Sequence, residues 1–119
     1  MKLRFKDNSI RFRLSAEEVD TLLNEGSIFM ETSFGVAAPS FRCGIVVKEV
    51  MEPEADLTDN VLIATIPPAI ADKWADSPLV GIDHRMGIGG GKFLRILIEK
   101  DFGLLPKDDD DGPETAYAD

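Results

Sequence analysis

A chain of 119 residues with a formal net charge of −9, 44% hydrophobic and 29% charged residues, has the size and composition of one folded domain with one core. No apolar run approaches the roughly 20 residues that a membrane-spanning helix requires. The acidic balance argues against nucleic acid as a partner, since that binding runs on phosphate neutralisation by Lys and Arg. Cys43 is the only cysteine, which excludes an intrachain disulfide, fits a reducing, cytoplasmic setting, and reads as a small buried hydrophobe.

The first two strands follow from period-2 alternation, with apolar side chains at Met1, Leu3 and Phe5 and again at Ile10, Phe12 and Leu14. A two-residue turn at Asp7-Asn8 pairs Phe5 with Ile10, Leu3 with Phe12 and Met1 with Leu14, so that all six share one buried face. Asp and Asn tolerate the left-handed backbone of such a turn. The same alternation at the N-terminus is unlike a signal-peptide core.

A helix over about 16–25 follows directly. Ser15 is a suitable N-cap and Glu18 completes a capping box. Leu14 and Val19 are spaced as a hydrophobic staple, Val19, Leu22 and Leu23 form the buried stripe, and Gly26 supplies the left-handed stop. Strands are expected at 27–34 and 41–50, separated by a turn at 35–40. The acidic segment 51–60, which contains Pro53, reads as a solvated loop. A short central strand spans 61–66.

Pro67 and Pro68 then open a second helix through Asp76, with Ile70 and Trp74 as its core contacts, and Pro78 ends it. A strand at 79–84, a loop at 86–91 and a long apolar strand at 92–99 complete the order β-β-α-β-β-β-α-β-β. No internal repeat is evident. The expected fold is α+β, a curved antiparallel or mixed sheet with two helices on one side; a partly closed barrel with helices is the alternative. Residues 1–105 form the expected domain. Residues 106–119 form an acidic C-terminal tail, because Asp108 to Asp111 with Gly112 and Pro113 bury no apolar area.

Motifs for chemistry fail on spacing. The run Gly87-Ile88-Gly89-Gly90-Gly91-Lys92 has Met86 where a phosphate loop needs glycine and Phe93 where it needs Ser or Thr. It therefore reads as a flexible hairpin loop. Around Gly112 a calcium loop would place Lys107 at its first position and Ala118 at its twelfth, so no metal site is expected. His84 is the only histidine, but in an extended strand it and its neighbour Asp83 point to opposite faces, and no nucleophile stands at a motif-defined position beside it. No cofactor is expected.

The opening MKLRFKDNSIRFRL, the helix start SAEEV and the later run LRILIEKDF resemble a small bacterial family of unknown function. Lys100-Asp101-Phe102 is the most recognisable part. Members commonly carry a cysteine two residues after that phenylalanine, whereas this chain has Leu104, so a thiol or metal role in relatives would not transfer. The resemblance implies a small domain and brings no activity with it.

Charge placement carries the functional expectation. In the first 14 residues Lys2, Arg4, Lys6, Arg11 and Arg13 stand against Asp7 alone. The hairpin register that buries the apolar residues sets Lys2 opposite Arg13 and Arg4 opposite Arg11, with Lys6 beside the turn. Like charges directly opposite one another repel, so this face requires anions. They can come from neighbouring strands (Glu31, Glu49 or Glu99), from the tail at Asp108 to Asp111, or from a partner, namely an acidic protein segment or an anionic small molecule held by paired Arg forks. The preferred reading is a binding or regulatory module using Lys2, Arg4, Arg11 and Arg13. The alternative is an enzyme acting on a phosphorylated or carboxylated small molecule, with His84, Arg85 and Lys92 at the glycine loop. A concave polar pocket at 84–92 would mark the enzyme, and a flat basic stripe the module.

Overall fold

The computed structural model describes residues 1–78 and 81–101. Residues 102–119, and with them the acidic tail expected at 106–119, lie outside the described residues. The element order is β1 (Lys2–Lys6), β2 (Ser9–Leu14), α1 (Ala16–Glu25), β3 (Ser27–Thr32), β4 (Phe41–Val47), β5 (Glu54–Thr58), β6 (Val61–Ile66), α2 (Pro68–Asp76), β7 (Gly81–Gly89) and β8 (Lys92–Lys100).

These elements make an α+β fold of two four-stranded mixed sheets, ordered β1-β2-β8-β7 and β3-β4-β6-β5. They do not close into a barrel. The strand pattern thus divides between two sheets rather than one. The central pairs, β2 with β8 and β4 with β6, are parallel, and every outer pair is antiparallel.

The first hairpin has the expected register, Leu3 with Phe12 and Arg4 with Arg11, closed by Asp7 at φ 50°. Its burial is less even than the alternation implies. Ile10, Phe12 and Leu14 are buried, Met1 and Leu3 pack partly against the core, and Phe5 is 60% exposed. Phe5 sits on the edge strand β1, which among the described residues has a neighbour on one side only.

Helix α1 begins with both halves of the capping box, the Glu18 N–H to the Ser15 hydroxyl at 3.2 Å and the Ser15 N–H to the Glu18 carboxylate at 2.9 Å. It ends at Gly26, whose φ of 82° is left-handed and whose N–H donates to the Leu22 carbonyl at 2.8 Å. Helix α2 takes the expected bounds, but Ala71 and Trp74 are its buried residues and Ile70 is only half-buried.

Two segments read as loops are strands. Residues 54–58, inside the expected loop 51–60, form the edge strand β5, whose exposed side chains, Ala55 excepted, give it the composition of a loop. Likewise β7 continues through Gly89, with a bulge between Gly87 and Gly89, so only Gly90 and Gly91 turn the hairpin.

The topology also contains a repeat that the sequence conceals. A β-β-α-β-β unit from β1 to β4 recurs from β5 to β8, and each sheet takes one hairpin from each unit. The turn Asp7-Asn8 recurs as Asp59-Asn60, and β2 and β6 alternate half-buried with buried residues in the same phase. Even the inter-unit hydrogen bonds repeat: the Arg95 N–H to the Asn8 carbonyl at 3.0 Å matches the Arg42 N–H to the Asn60 carbonyl at 3.0 Å.

One core joins the two units. Phe12, Leu14, Ile96 and Ile98 from one sheet and Ile45, Ala64 and Ile66 from the other meet Leu22 and Ala71 of the helices, all fully buried. Cys43 belongs to this cluster as a free thiol, and burial pushes its pKa up, away from the reactive thiolate.

Candidate functional site: a basic outer sheet face

Alternation along each strand turns one set of side chains to the core and the other outward. On the β1-β2-β8-β7 sheet the outward set is Lys2, Arg4 and Lys6 from β1, Ser9, Arg11 and Arg13 from β2, Arg95, Leu97 and Glu99 from β8, and Asp83 and Arg85 from β7. Seven cations therefore share a face with two carboxylates. Parallel pairing of β2 with β8 aligns Ser9 with Arg95, Arg11 with Leu97 and Arg13 with Glu99.

The four proposed residues Lys2, Arg4, Arg11 and Arg13 do lie together on this face, and the anions that meet them come from the end of β8. Glu99 stands 3.5 Å from Arg11 and 3.3 Å from Arg13, and Asp101 stands 3.5 Å from Lys2. Of the neighbouring acids named from sequence, Glu99 performs this role; Glu31 lies on β3 in the other sheet, where it accepts the Ser40 hydroxyl at 2.6 Å. Arg95 is held by Asp83 through two hydrogen bonds of 3.0 and 2.7 Å, which keep the Asp83 carboxyl below its ordinary range.

Arg4 and Lys6 are different. Among the described residues the side chain of neither has a hydrogen-bond or ion-pair partner. Both line a groove of about 200 Å³ together with Ser9, Arg11, Arg95 and Leu97. Sequence reasoning missed Arg95, Ser9 and Leu97. The alternation of residues 92–99 already sets Arg95, Leu97 and Glu99 on one side, but nothing local reveals that this strand lies parallel to the first hairpin.

The alternative trio is dispersed. His84 takes the core-facing side of β7, with its Nε2 3.2 Å from Glu52, whereas Arg85 takes the outer side and stacks over Phe93 at 4.3 Å. Lys92 pairs with Gly89 at the hairpin tip, five residues and therefore roughly 16 Å along the strand from His84. Among the described residues no group of three or more His, Cys, Asp or Glu side chains is placed to hold a metal ion. Nor is any helix there long and apolar enough to cross a membrane.

Residues 1–118 match a family described as a family of unknown function, DUF7009. The chain belongs to this family. No curated protein and no solved structure matches it. Nearly the whole chain is covered by the match, so both units of the repeat, and the basic face that draws strands from each, fall within the family's span.

Proposed function

We propose that this DUF7009 member is a cytoplasmic bacterial binding or regulatory module that holds an acidic protein segment or an anionic small molecule on its basic sheet face. One observation carries the reading: Arg4 and Lys6 line a groove beside Arg11 and Arg95 without any counter-charge of their own among the described residues. Unpaired cations on a flat sheet repel, and an incoming phosphate or carboxylate relieves that repulsion while accepting forked hydrogen bonds. The groove is lined mostly by cationic and polar side chains, which suits a phosphate or carboxylate.

Titration with tripolyphosphate and with polyglutamate at two ionic strengths tests this. Arg4→Glu/Arg11→Glu should abolish binding. Asp83→Asn should strengthen it several-fold, because it releases the Arg95 guanidinium toward the groove. Binding should weaken with salt, as contacts on an open surface are screened. Equal binding by the wild type and the reversed pair would reject the reading.

A further inference from the structure

The repeat gives the basic face a counterpart. On the β3-β4-β6-β5 sheet the outward positions are Glu54, Asp56 and Thr58 of β5, Val61, Ile63 and Thr65 of β6, Arg42 and Val46 of β4, and Phe29 and Glu31 of β3. At three positions the charge inverts between the sheets, while Lys6, Arg11 and Arg13 correspond to neutral Thr58, Ile63 and Thr65, and Arg95 to Arg42. Lys2 corresponds to Glu54, Arg4 to Asp56, and Arg85 to Glu31. The second face thus carries three acids along its edge strands and one cation, Arg42, which lies over the Phe29 ring at 4.2 Å. Between the acids runs an apolar strip of half-buried Phe29, Val46, Val61 and Ile63. Among the described residues none of the three acids has an ion-pair partner.

Resting on the reading of the basic face as an anion-binding surface, we infer that its acidic partner is a second copy of this chain, docked head to tail through the face bearing Glu31, Glu54 and Asp56. Unpaired cations on one face and unpaired acids on the other are complementary within one molecule. Side chains two apart on β1 and on β5 share the same spacing, about 6.7 Å, so Arg4 and Lys6 match Glu54 and Asp56 in pitch. The apolar strip suits the partner too, because Arg and Lys lay their aliphatic stems on apolar surface while their charged heads reach the rim. On this very face the Arg42 guanidinium already lies over the Phe29 ring, so the strip also accepts a cation directly.

Each copy offers two different faces, so the contact is heterologous and leaves a free face at each end. A four-stranded face spans about 20 Å by 20 Å, so the contact buries less than about 1,200 Å² in total and falls in the weak, reversible class. The net charge of −9 opposes association at long range. At about 0.15 M salt that repulsion is screened beyond roughly 8 Å, while contacting charges are screened less.

The test is sedimentation of the full-length protein over a wide concentration range at physiological salt. The average mass should rise with concentration without levelling at a dimer, and should fall back in high salt. Arg4→Glu/Arg11→Glu and Glu54→Lys/Asp56→Lys, both on exposed outer faces and checked for folding by circular dichroism, should each weaken association by more than about ten-fold. Mixed in equal amounts, the two variants should associate with each other more strongly than either does alone, since each supplies the face the other has lost and the reversed charges also complement one another. A wild type that stays monomeric, a closed dimer insensitive to Glu54→Lys/Asp56→Lys, or a mixture that stays monomeric would overturn the inference. Tripolyphosphate binding by Glu54→Lys/Asp56→Lys separates the two readings. If that variant binds the anion while the wild type does not self-associate, only the second-copy inference falls; if neither occurs, both fall.

Discussion

Two residues show how single side chains set the stability of this fold. Glu18 is partly buried, which by itself raises its pKa, but hydrogen bonds from the Met1 ammonium and from Ser15 outweigh that, and the net shift is downward. A carboxyl whose folded pKa lies below its unfolded value adds stability that is complete above the unfolded pKa, about 4.3 for glutamate, and is lost as pH falls through the folded value. Glu18→Gln keeps an acceptor for the Ser15 N–H but loses the charge. Urea midpoints from neutral pH down to about pH 3 should therefore show the variant less stable near neutrality, with the gap closing in acid. A gap that is constant with pH would mean that the ammonium contact does not form. Gly44 makes a different demand. It is buried opposite Phe29, and a Cβ there would lie 2.3 Å from the Phe29 ring and 2.5 Å from the Ile28 carbonyl oxygen. Gly44→Ala should cost about 1–3 kcal/mol, the usual range for overpacking. Adding Phe29→Ala should recover only part of that, because the backbone oxygen cannot move aside. Full recovery in denaturant melts would show that Ile28 yields.

At the scale of elements, what was legible in the sequence was whatever is fixed locally. The hairpin register followed from two alternating runs and a two-residue turn. Both helices followed from their caps and prolines, because capping chemistry is written within four residues of the boundary. Edge strands were harder. In β5 one face meets solvent and the other is only partly covered, so Glu54, Asp56 and Thr58 leave Ala55 as its one half-buried residue, and such a pattern looks like loop. The glycines of β7 misled in the same direction, since a bulge at Gly87/Gly89 lets a glycine-rich stretch stay paired. For the basic face, the residues from the first hairpin were readable, and those from β8 were not. Parallel pairing between β2 and β8 links Ser9 to Arg95, and such long-range register leaves no mark in either strand alone. The repeat was hidden for a related reason. Between β1-β2-α1 and β5-β6-α2 only Asp7, Asn8 and Asp20 recur as identical residues, at Asp59, Asn60 and Asp72. Topology and burial phase persist while residue identities and even charges change.

For the whole molecule, the consequence of the repeat is interlocking. Both parallel pairings, β2 with β8 and β4 with β6, join the first unit to the second, so neither sheet can be completed by one unit alone. The core has the same property, for Phe12 and Leu14 of the first unit share their sheet with Ile96 and Ile98 of the second. A β-β-α-β-β unit on its own would expose one side of β2 and β4, or of β6 and β8, with their apolar faces half covered. Such a unit buries too little surface to offset its chain entropy. The natural place to divide the chain is the link between β4 and β5, where Met51 is exposed. Fragments 1–50 and 51–119, produced separately, should each lack a cooperative melt and remain largely unfolded or aggregated. Produced together or mixed from denaturant, they should assemble one to one and melt in a single transition near that of the intact chain. Their assembly should also be concentration-dependent, since a bimolecular step replaces closure of the long loop between β2 and β8, which in the intact chain makes folding slow relative to helical proteins of this length. Calorimetry and size-exclusion chromatography of the separate and mixed fragments decide the matter. If fragment 1–50 alone melts cooperatively as a monomer, the units are independent and the parallel pairings are not what holds the two sheets together.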